Sequence, residues 1–333
     1  MSWSSVQYEF QKTLTPFALI INLILIQLIW HKSPKAIGFY KYLMMYISIF
    51  EIIYSVLDIL AAPDFFSHDS IFIVITSSER MLVPQFFQVP FTNIFCSMFG
   101  VSLVIFVIHF IYRYLAITNS NFQKPSRKLA IWFIIPIFYG ILWSSLLLIF
   151  FRPSQETDAI LKETYLLERN STLSEITYFG FNYWIQNDQG REVLNLKASV
   201  GMILIMTLVT SSISTILIFG TLCYRKLGTL VQVSRNSTQY RQLQLQLLNS
   251  LVGQALVPAF LMLAPASIVF SIPFFHAGNE LMGALLGITI SMYPVLDPLP
   301  TMFVIKSYRE AIFKCFRKTT TVHAEAVVTT LAL

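Results

Sequence analysis

The sequence of 333 residues contains little charge and very few cysteines. Only 12% of the residues are charged, about half the usual share of a soluble domain and too little to cover a soluble surface. Three cysteines are too few for a disulfide framework. The sequence also lacks the HExxH, GxSxG, P-loop and CxxC motifs, and no two histidines are spaced to chelate a metal on a helix. We therefore expect a protein that is not an enzyme and that has no metal or cofactor.

Long apolar runs are abundant instead. Hydrophobic residues make up 55% of the chain, mean hydropathy is +0.65, and 29 Phe with 15 Tyr exclude a disordered chain. Seven runs can each cross ~30 Å of hydrocarbon as a helix, which takes about 20 residues. They cover about residues 13–30, 42–62, 88–114, 129–151, 198–224, 246–274 and 281–305. The sequence predicts an all-α membrane protein, folded as a seven-transmembrane helix bundle.

The distribution of charge predicts how the bundle is oriented. Most of the 23 basic residues follow the first, third, fifth and seventh runs, whereas the long loop of residues 152–197 is acidic. Basic loops stay on the cytoplasmic side of a membrane. We therefore predict an N-terminus outside the cell and a C-terminus inside it, in a multi-pass protein of the plasma membrane. Basic residues scattered over short loops argue against binding to nucleic acid.

The segments around the bundle carry three smaller predictions. Residues 1–318 form the seven-transmembrane domain, in which residues 307–318 are a short amphipathic helix that lies on lipids of the inner leaflet. Residues 319–333 are a flexible cytoplasmic tail. Asn170 begins an Asn-Ser-Thr glycosylation acceptor on the outer side. Cys315 is either palmitoylated or a free structural cysteine.

Three acidic residues lie inside predicted spans: Glu51, Asp58 and Asp297. Charge at membrane depth is costly, so such residues face the interior of the bundle. They form an ion or proton site, form a polar network that rearranges on switching, or only fix helix packing. Near the inner end of the third run, Arg113 follows His109 by one helical turn. Arg113 either presents its donors to an inner cavity or extends to the headgroups.

Two segments carry a resemblance to a known family. HFIYRYLAI closes the third run, and PVLDPLPTMFVIKSYREAI closes the seventh. Together with seven spans, they resemble the nematode seven-helix serpentine chemoreceptors, the class r (Str) group of G-protein-coupled receptors. The resemblance covers about residues 10–318 and implies the GPCR fold. It also implies that a small, odorant-like molecule activates a heterotrimeric G protein, in the sensory cilium of chemosensory neurons.

The resemblance has departures from the wider receptor superfamily. By position, Tyr112, Arg113 and Tyr114 correspond to its Asp-Arg-Tyr motif, and Tyr112 removes the acid that normally pairs with the arginine. Asp297-Pro298 resembles the start of its seventh-helix motif, with altered spacing to Tyr308. The long outer loop has no cysteine, so the disulfide to the third helix that is common in the superfamily cannot form.

A ligand is expected between the outer halves of the third, fifth, sixth and seventh helices, where bundles build apolar sites with a few polar groups. The scarcity of charge there predicts a neutral or weakly polar molecule. The candidate ligand-binding residues are Asp58, Gln88, Phe91, Asn93, Phe95, Phe270, Phe274 and His276.

Coupling to the G protein is expected at the inner end. The sixth helix would pivot near Pro258 or Pro265 and open a cleft for a helix of the G protein. The candidate switch residues are His109, Arg113, Tyr114, Arg225, Arg235, Arg241, Asp297 and Pro298.

Three other functions remain open. A secondary transporter would favour matched halves around a midplane site, and an ion channel subunit would favour a filter loop or rings of acids. A receptor-like protein that binds no ligand and assists another receptor is the third. The partners predicted for a receptor are an agonist, a G protein, membrane lipids and, in an oligomer, further receptor chains.

Overall fold

Seven long apolar helices dominate the structure, a computed structural model that describes residues 2–118, 130–187, 189–229 and 237–314. Each is long and apolar enough to cross a membrane, so the predicted seven-helix bundle is confirmed. The first four spans are α1 (Trp3–Lys32), α2 (Tyr40–Ala61), α3 (Gln88–Thr118) and α4 (Ile131–Phe150). After the short loop helices α5 (Gln155–Glu163) and α6 (Tyr165–Arg169), the remaining spans are α7 (Leu196–Thr229), α8 with α9 (Ser237–Pro258, Ala264–Ser271), and α10 with α11 (Glu280–Leu296, Pro298–Val304).

Two spans begin earlier than their apolar runs. We use "outer" for the end of the bundle that carries residue 2 and "inner" for the opposite end, following the orientation predicted from charge. At the outer end, α1 begins at Trp3 because Gln7 and Gln11 donate to the Pro63 carbonyl oxygen at 2.6 and 2.9 Å. At the inner end, α8 begins at Ser237 and its Gln244 is buried. Glutamines that pack inside the bundle extend these helices past the reach of a hydropathy pattern.

The sixth span is irregular where its prolines lie. α8 ends at Pro258, and residues Ala259–Leu263 form a π-helical turn before α9. Proline has no N–H and displaces the carbonyl one turn before it, so the helix must change its hydrogen-bonding pattern there. The span ends at the outer side in a 3-10 turn, Ile272–Phe275.

The outer loops form a sheet that the all-α prediction did not contain. Strands β1 (Asp64–His68) and β2 (Ile71–Ser77) form a hairpin between α2 and α3, and β3 (Ile176–Asn182) from the long loop pairs antiparallel with β2. A second pair, β4 (Trp184–Gln186) and β5 (Glu192–Leu194), follows it. The three-stranded sheet lies across the outer end of the bundle and brings its aromatic side chains onto the helices.

Tight helix contacts hold the bundle below the sheet. Gly100 of α3 faces the indole of Trp143 on α4, where a Cβ atom would lie only 2.3 Å from a ring carbon. Any larger residue at position 100 would force the two helices apart. The largest hydrophobic cluster fills the space among α2, α3, α4, α7, α9, α10 and the sheet.

The seventh span ends in a helix at the inner surface. After a break at Ile305, residues 306–314 are helical again. Tyr308 is buried there, its hydroxyl lies 2.6 Å from the Ser33 hydroxyl, and burial raises its pKa to about 12. Cys315, the rest of the predicted amphipathic helix and the predicted tail at 319–333 lie outside the described residues.

Candidate functional site

An enclosed apolar cavity lies in the outer half of the bundle, beneath the sheet. Its volume is about 80 Å³, measured as the space that the centre of a water-sized sphere can occupy. Since one water needs roughly 10–15 Å³ on this measure, the space accepts roughly five to eight non-hydrogen atoms without movement of side chains. Ten aromatic side chains line it: Tyr54, Phe65, Phe72, Phe95, Phe99, Trp143, Phe151, Phe179, Phe181 and Phe270. No charged side chain lines it within the described part of the chain.

The roof of this cavity is built by the sheet and the sixth span. The ring of Phe270 on α9 packs edge-on against Phe72 of β2 and Phe181 of β3, with centroids 5.1 and 6.0 Å apart. The Gly180 N–H donates to the Phe151 carbonyl at 3.0 Å, which fixes β3 to the outer end of α4. A Cβ at Gly180 would lie 2.3 Å from the backbone oxygen of Phe72, so glycine is required for this close strand approach.

Two of the eight predicted ligand residues line the cavity, namely Phe95 of α3 and Phe270 of α9. Phe274 lies beside it, against Tyr183 and Trp184. The sequence did not single out Phe72, Phe179 or Phe181 of the sheet, nor Trp143. The aromatic run at residues 178–184, YFGFNYW, was the signal available for the loop residues.

The other candidates have structural contacts elsewhere. Gln88 donates to the carbonyl oxygens of Thr76 and Glu175 and ties the start of α3 to the sheet. Phe91 packs edge-on against Phe87 near the outer end of α3. Asn93 is buried, and its side-chain oxygen has no hydrogen-bond partner among the described residues. None of these three side chains lines the cavity.

His276 and Asp58 also lie away from the cavity. His276 is a surface residue in the loop after the sixth span, stacked on Trp184 and 3.2 Å from an Asp69 oxygen. Asp58 is buried between α1, α2 and α10, where it accepts hydrogen bonds from Ser291 at 2.7 Å and Gln11 at 3.3 Å. Its contacts are those of a packing residue, as the sequence analysis allowed.

The other two intramembrane acids face each other deeper in the bundle. Glu51 of α2 lies beside Asp297, at the junction of α10 and α11, together with Asn22 and Tyr293. Asp297 accepts a hydrogen bond from Gln254 of α8 at 2.9 Å. Neither Glu51 oxygen has a hydrogen-bond partner within the described ranges, although the side chain is 1% exposed. The cluster therefore joins four spans through polar groups that are only partly satisfied.

At the inner end, Arg113 of α3 points into the bundle instead of towards the headgroups. It is 1% exposed, and its terminal nitrogen donates to the side-chain oxygen of Gln244 at 2.6 Å and to the Gln244 carbonyl at 3.1 Å. The guanidinium also lies over the Tyr40 ring, 4.7 Å from its centroid. A bond from a charged donor is about twice as strong as a neutral one. Arg113 thus bridges the third and sixth spans.

The remaining switch candidates among the described residues lie on α3, α7, α8 and α11. His109 lies beside Tyr40, with its Nδ1 atom 3.3 Å from the tyrosine hydroxyl, and Tyr114 packs edge-on against Phe219 of α7. Arg241 of α8 donates to the Leu227 carbonyl of α7 at 3.2 Å. Arg225 is exposed near the inner end of α7, and Pro298 is buried at the start of α11. Arg235 lies outside the described residues.

The seven-helix bundle has the fold of rhodopsin. Squid rhodopsin superposes with a TM-score of 0.60 over 96% of this chain and 87% of its own, at 12% sequence identity, which shows the fold alone. The profile of the serpentine type 7TM GPCR chemoreceptor Str matches residues 7–313. This chain therefore belongs to the Str family of serpentine receptors, as its sequence motifs suggested, and it is a multi-pass membrane receptor, not an enzyme.

Two relatives show how much of the chain the family shares. G-protein coupled receptor str-217 of Caenorhabditis elegans is 35% identical over 315 residues, covering 92% of this chain and 89% of the relative. Serpentine receptor class r-10 of Caenorhabditis briggsae is 25% identical over 306 residues, covering 90% and 87%. The similarity therefore extends over the whole receptor bundle.

Proposed function

We propose that this protein is a chemosensory receptor that binds a small, neutral or weakly polar molecule and activates a heterotrimeric G protein. Its place of action would be the plasma membrane of a sensory neuron, in the cilium, with membrane lipids around the bundle. The observation that carries the proposal is the enclosed aromatic cavity. Phe270 in its roof and Gln244 at the inner end belong to the same span, so the sixth span connects the ligand cavity with the Arg113 bridge.

The lining of the cavity supports a neutral ligand. A charged molecule would lose its hydration and find no opposite charge among the described lining residues, at a cost of several kcal/mol. Very small ligands reach at most about 1.5 kcal/mol per non-hydrogen atom. Five such atoms therefore give at most about 7.5 kcal/mol, which corresponds to a dissociation constant no lower than a few μM. A volatile or weakly polar odorant fits this range.

The inner end supports a two-state switch. The bridge from Arg113 to Gln244 holds the sixth span against the third, and the π-helical turn after Pro258 lies between this bridge and the cavity. A ligand shifts an equilibrium only when it binds one of the two states more tightly than the other. A ligand that binds more tightly to a receptor with a different bend at this turn would therefore pull Gln244 away from Arg113. The freed Arg113, with Arg225, Arg235 and Arg241, would then line a cleft for a G-protein helix.

The proposal is tested by screening volatile and water-soluble compounds on the expressed receptor for stimulated nucleotide exchange on a G protein. Arg113→Ala should abolish the agonist response while surface expression remains intact. Lys35→Ala is the matched control, because it removes an exposed positive charge from the loop between the first two spans, which lies at the same end. Normal signalling by Arg113→Ala would defeat the proposed switch, and solute flux in reconstituted vesicles would favour a transporter instead.

Asn170 is proposed as a glycosylation site. It is exposed in the long outer loop, in the left-handed conformation that ends α6. Its exposure would allow an enzyme to reach the amide if this loop faces outside the cell.

A further inference from the structure

The cavity is closed towards the outer aqueous side. The roof side chains Phe65, Phe72, Phe179 and Phe181 are each at most 5% exposed. The sheet is also fixed at one corner, because Asp69 of the β1–β2 turn exchanges two backbone hydrogen bonds with Gly278, at 3.0 and 2.9 Å. An entry path from water would require the sheet to detach from the helices.

Two of the helix boundaries around the cavity are closed as well. Gly100 brings α3 against Trp143 of α4, and Gly201 brings α7 against Phe150. On the far side, Gly287 of α10 packs against Gln7 of α1. Each contact leaves no room for even one additional carbon atom, so none of these boundaries admits a ligand without separating two helices.

The boundary between α7 and α9 is different, because a crevice separates the two helices. It contains about 330 Å³ of space for the centre of a water-sized sphere and is lined by Met202 and Met206 of α7 and by Ser267 and Phe270 of α9. Met202 and Phe270 line the enclosed cavity too, so these two side chains lie between the crevice and the cavity. Large exposed apolar side chains flank the crevice, including Ile203 on α7, and face the hydrocarbon region.

We propose that the ligand reaches the cavity from the outer leaflet of the membrane, through the crevice between α7 and α9 and past the side chains of Met202 and Phe270. This inference rests on the proposed function and narrows its ligand class to neutral molecules that partition into lipid. Methionine is unbranched and flexible, so Met202 changes rotamer easily. A permanently charged molecule is excluded because the hydrocarbon it must cross is costly for charge.

Cys96 provides a reporter, since its thiol side chain lines the cavity. In a receptor with Cys223→Ala and Cys315→Ala, purified in lipid nanodiscs, Cys96 is the only remaining thiol. Its modification is followed by mass spectrometry with two reagents, a neutral butyl methanethiosulfonate and a trimethylammonioethyl methanethiosulfonate that carries a fixed charge. This measurement needs neither an agonist nor a G protein, so its failure is distinguishable from failure of the proposed signalling function.

We expect the butyl reagent to modify Cys96 at least about tenfold faster than the charged reagent, relative to their rates on denatured receptor. Ser267→Trp, which fills the crevice, should slow the butyl reaction by about tenfold or more. Met206→Trp fills the crevice from the α7 side and should have the same effect, which guards against misfolding of one variant. Ser145→Trp is the control, because Ser145 lies between Ile141 and Ile149 on the outward face of α4.

Two results would overturn the route. Equal rates for the two reagents, unchanged by both crevice variants, would mean that access is from water through the roof. Met202→Ala removes one of the two side chains between the crevice and the cavity, and it shows at which pH the Cys96 thiol reacts in folded receptor. No modification by either reagent at that pH in receptor that keeps Met202 would mean that the crevice does not lead to the cavity.

Discussion

Removing the partner of Arg113 should activate the receptor without a ligand. In the described state, the Gln244 side chain accepts a 2.6 Å hydrogen bond from the buried guanidinium. A hydrogen bond to a charged group contributes about 1.5–3 kcal/mol, and the lower value applies because the backbone oxygen of Gln244 remains as an acceptor. Gln244→Ala should therefore favour the open state by about tenfold, from a population of about 1% to about 10%.

The measurement is agonist-free GTPγS binding to the coupled G protein, in membranes with matched receptor density. Gln242→Ala is the control, since Gln242 lies on the same helix with its side chain exposed. Basal exchange should rise about tenfold in Gln244→Ala and stay at the wild-type level in Gln242→Ala. If basal activity of Gln244→Ala is unchanged while Arg113→Ala is silent, the hydrogen bond does not hold the receptor closed and the reasoning is refuted.

Two further predictions concern the cavity and its roof. Phe95→Ala removes a fully buried ring and should lower the free energy of unfolding by about 3–5 kcal/mol, as measured by thermal unfolding in detergent. Phe313→Ala, which truncates an exposed ring, should leave it within about 0.5 kcal/mol, and equal effects would contradict the assigned packing. Burial raises the pKa of Tyr183 to about 12, so its protonated form stabilises the outer loop fully below pH 10 and this contribution is lost as pH rises towards 12. Tyr183→Phe should remove one tyrosinate from the 295 nm absorbance titration near pH 12, and loss of a tyrosinate titrating near pH 10 would refute the burial.

The seven spans could be predicted from the sequence because lipid forces each crossing segment to be an uninterrupted apolar helix. The sheet could not be predicted in the same way. All residues of β2 from Ile71 to Thr76 are buried, on both faces of the sheet. Burial on both faces removes the alternation of apolar and polar residues by which a strand is normally identified. An apolar run of this kind between two spans is equally compatible with a strand and with the end of a transmembrane helix.

Only some residues of the candidate site could be predicted from the sequence. Phe95 and Phe270 could be chosen because their helix and depth followed from the spans, and Arg113 because Tyr112-Arg113-Tyr114 resembles the Asp-Arg-Tyr motif. Gln244 could not, since several glutamines stand close together in α8 and the sequence does not say which of them faces a helix 131 residues away. Contacts between distant segments depend on how each helix is rotated about its axis. A helix that is apolar on most of its faces gives no sequence signal for that rotation.

A bend in the sixth span acts over the whole distance between the cavity and the Arg113–Gln244 bridge at the inner end. Between Gln244 and Pro258, the sixth span rises 1.5 Å per residue, so its inner arm is about 21 Å long. A tilt of about 10° at the π-helical turn would move Gln244 by about 3.6 Å, which is enough to break its hydrogen bond to Arg113. Aromatic contacts contribute about 0.5–1.5 kcal/mol each. Two contacts that a ligand makes with Phe270 only in the tilted state would therefore offset the loss of the bridge. The ligand then needs no direct contact with the inner end, and the size of the cavity is no obstacle to switching.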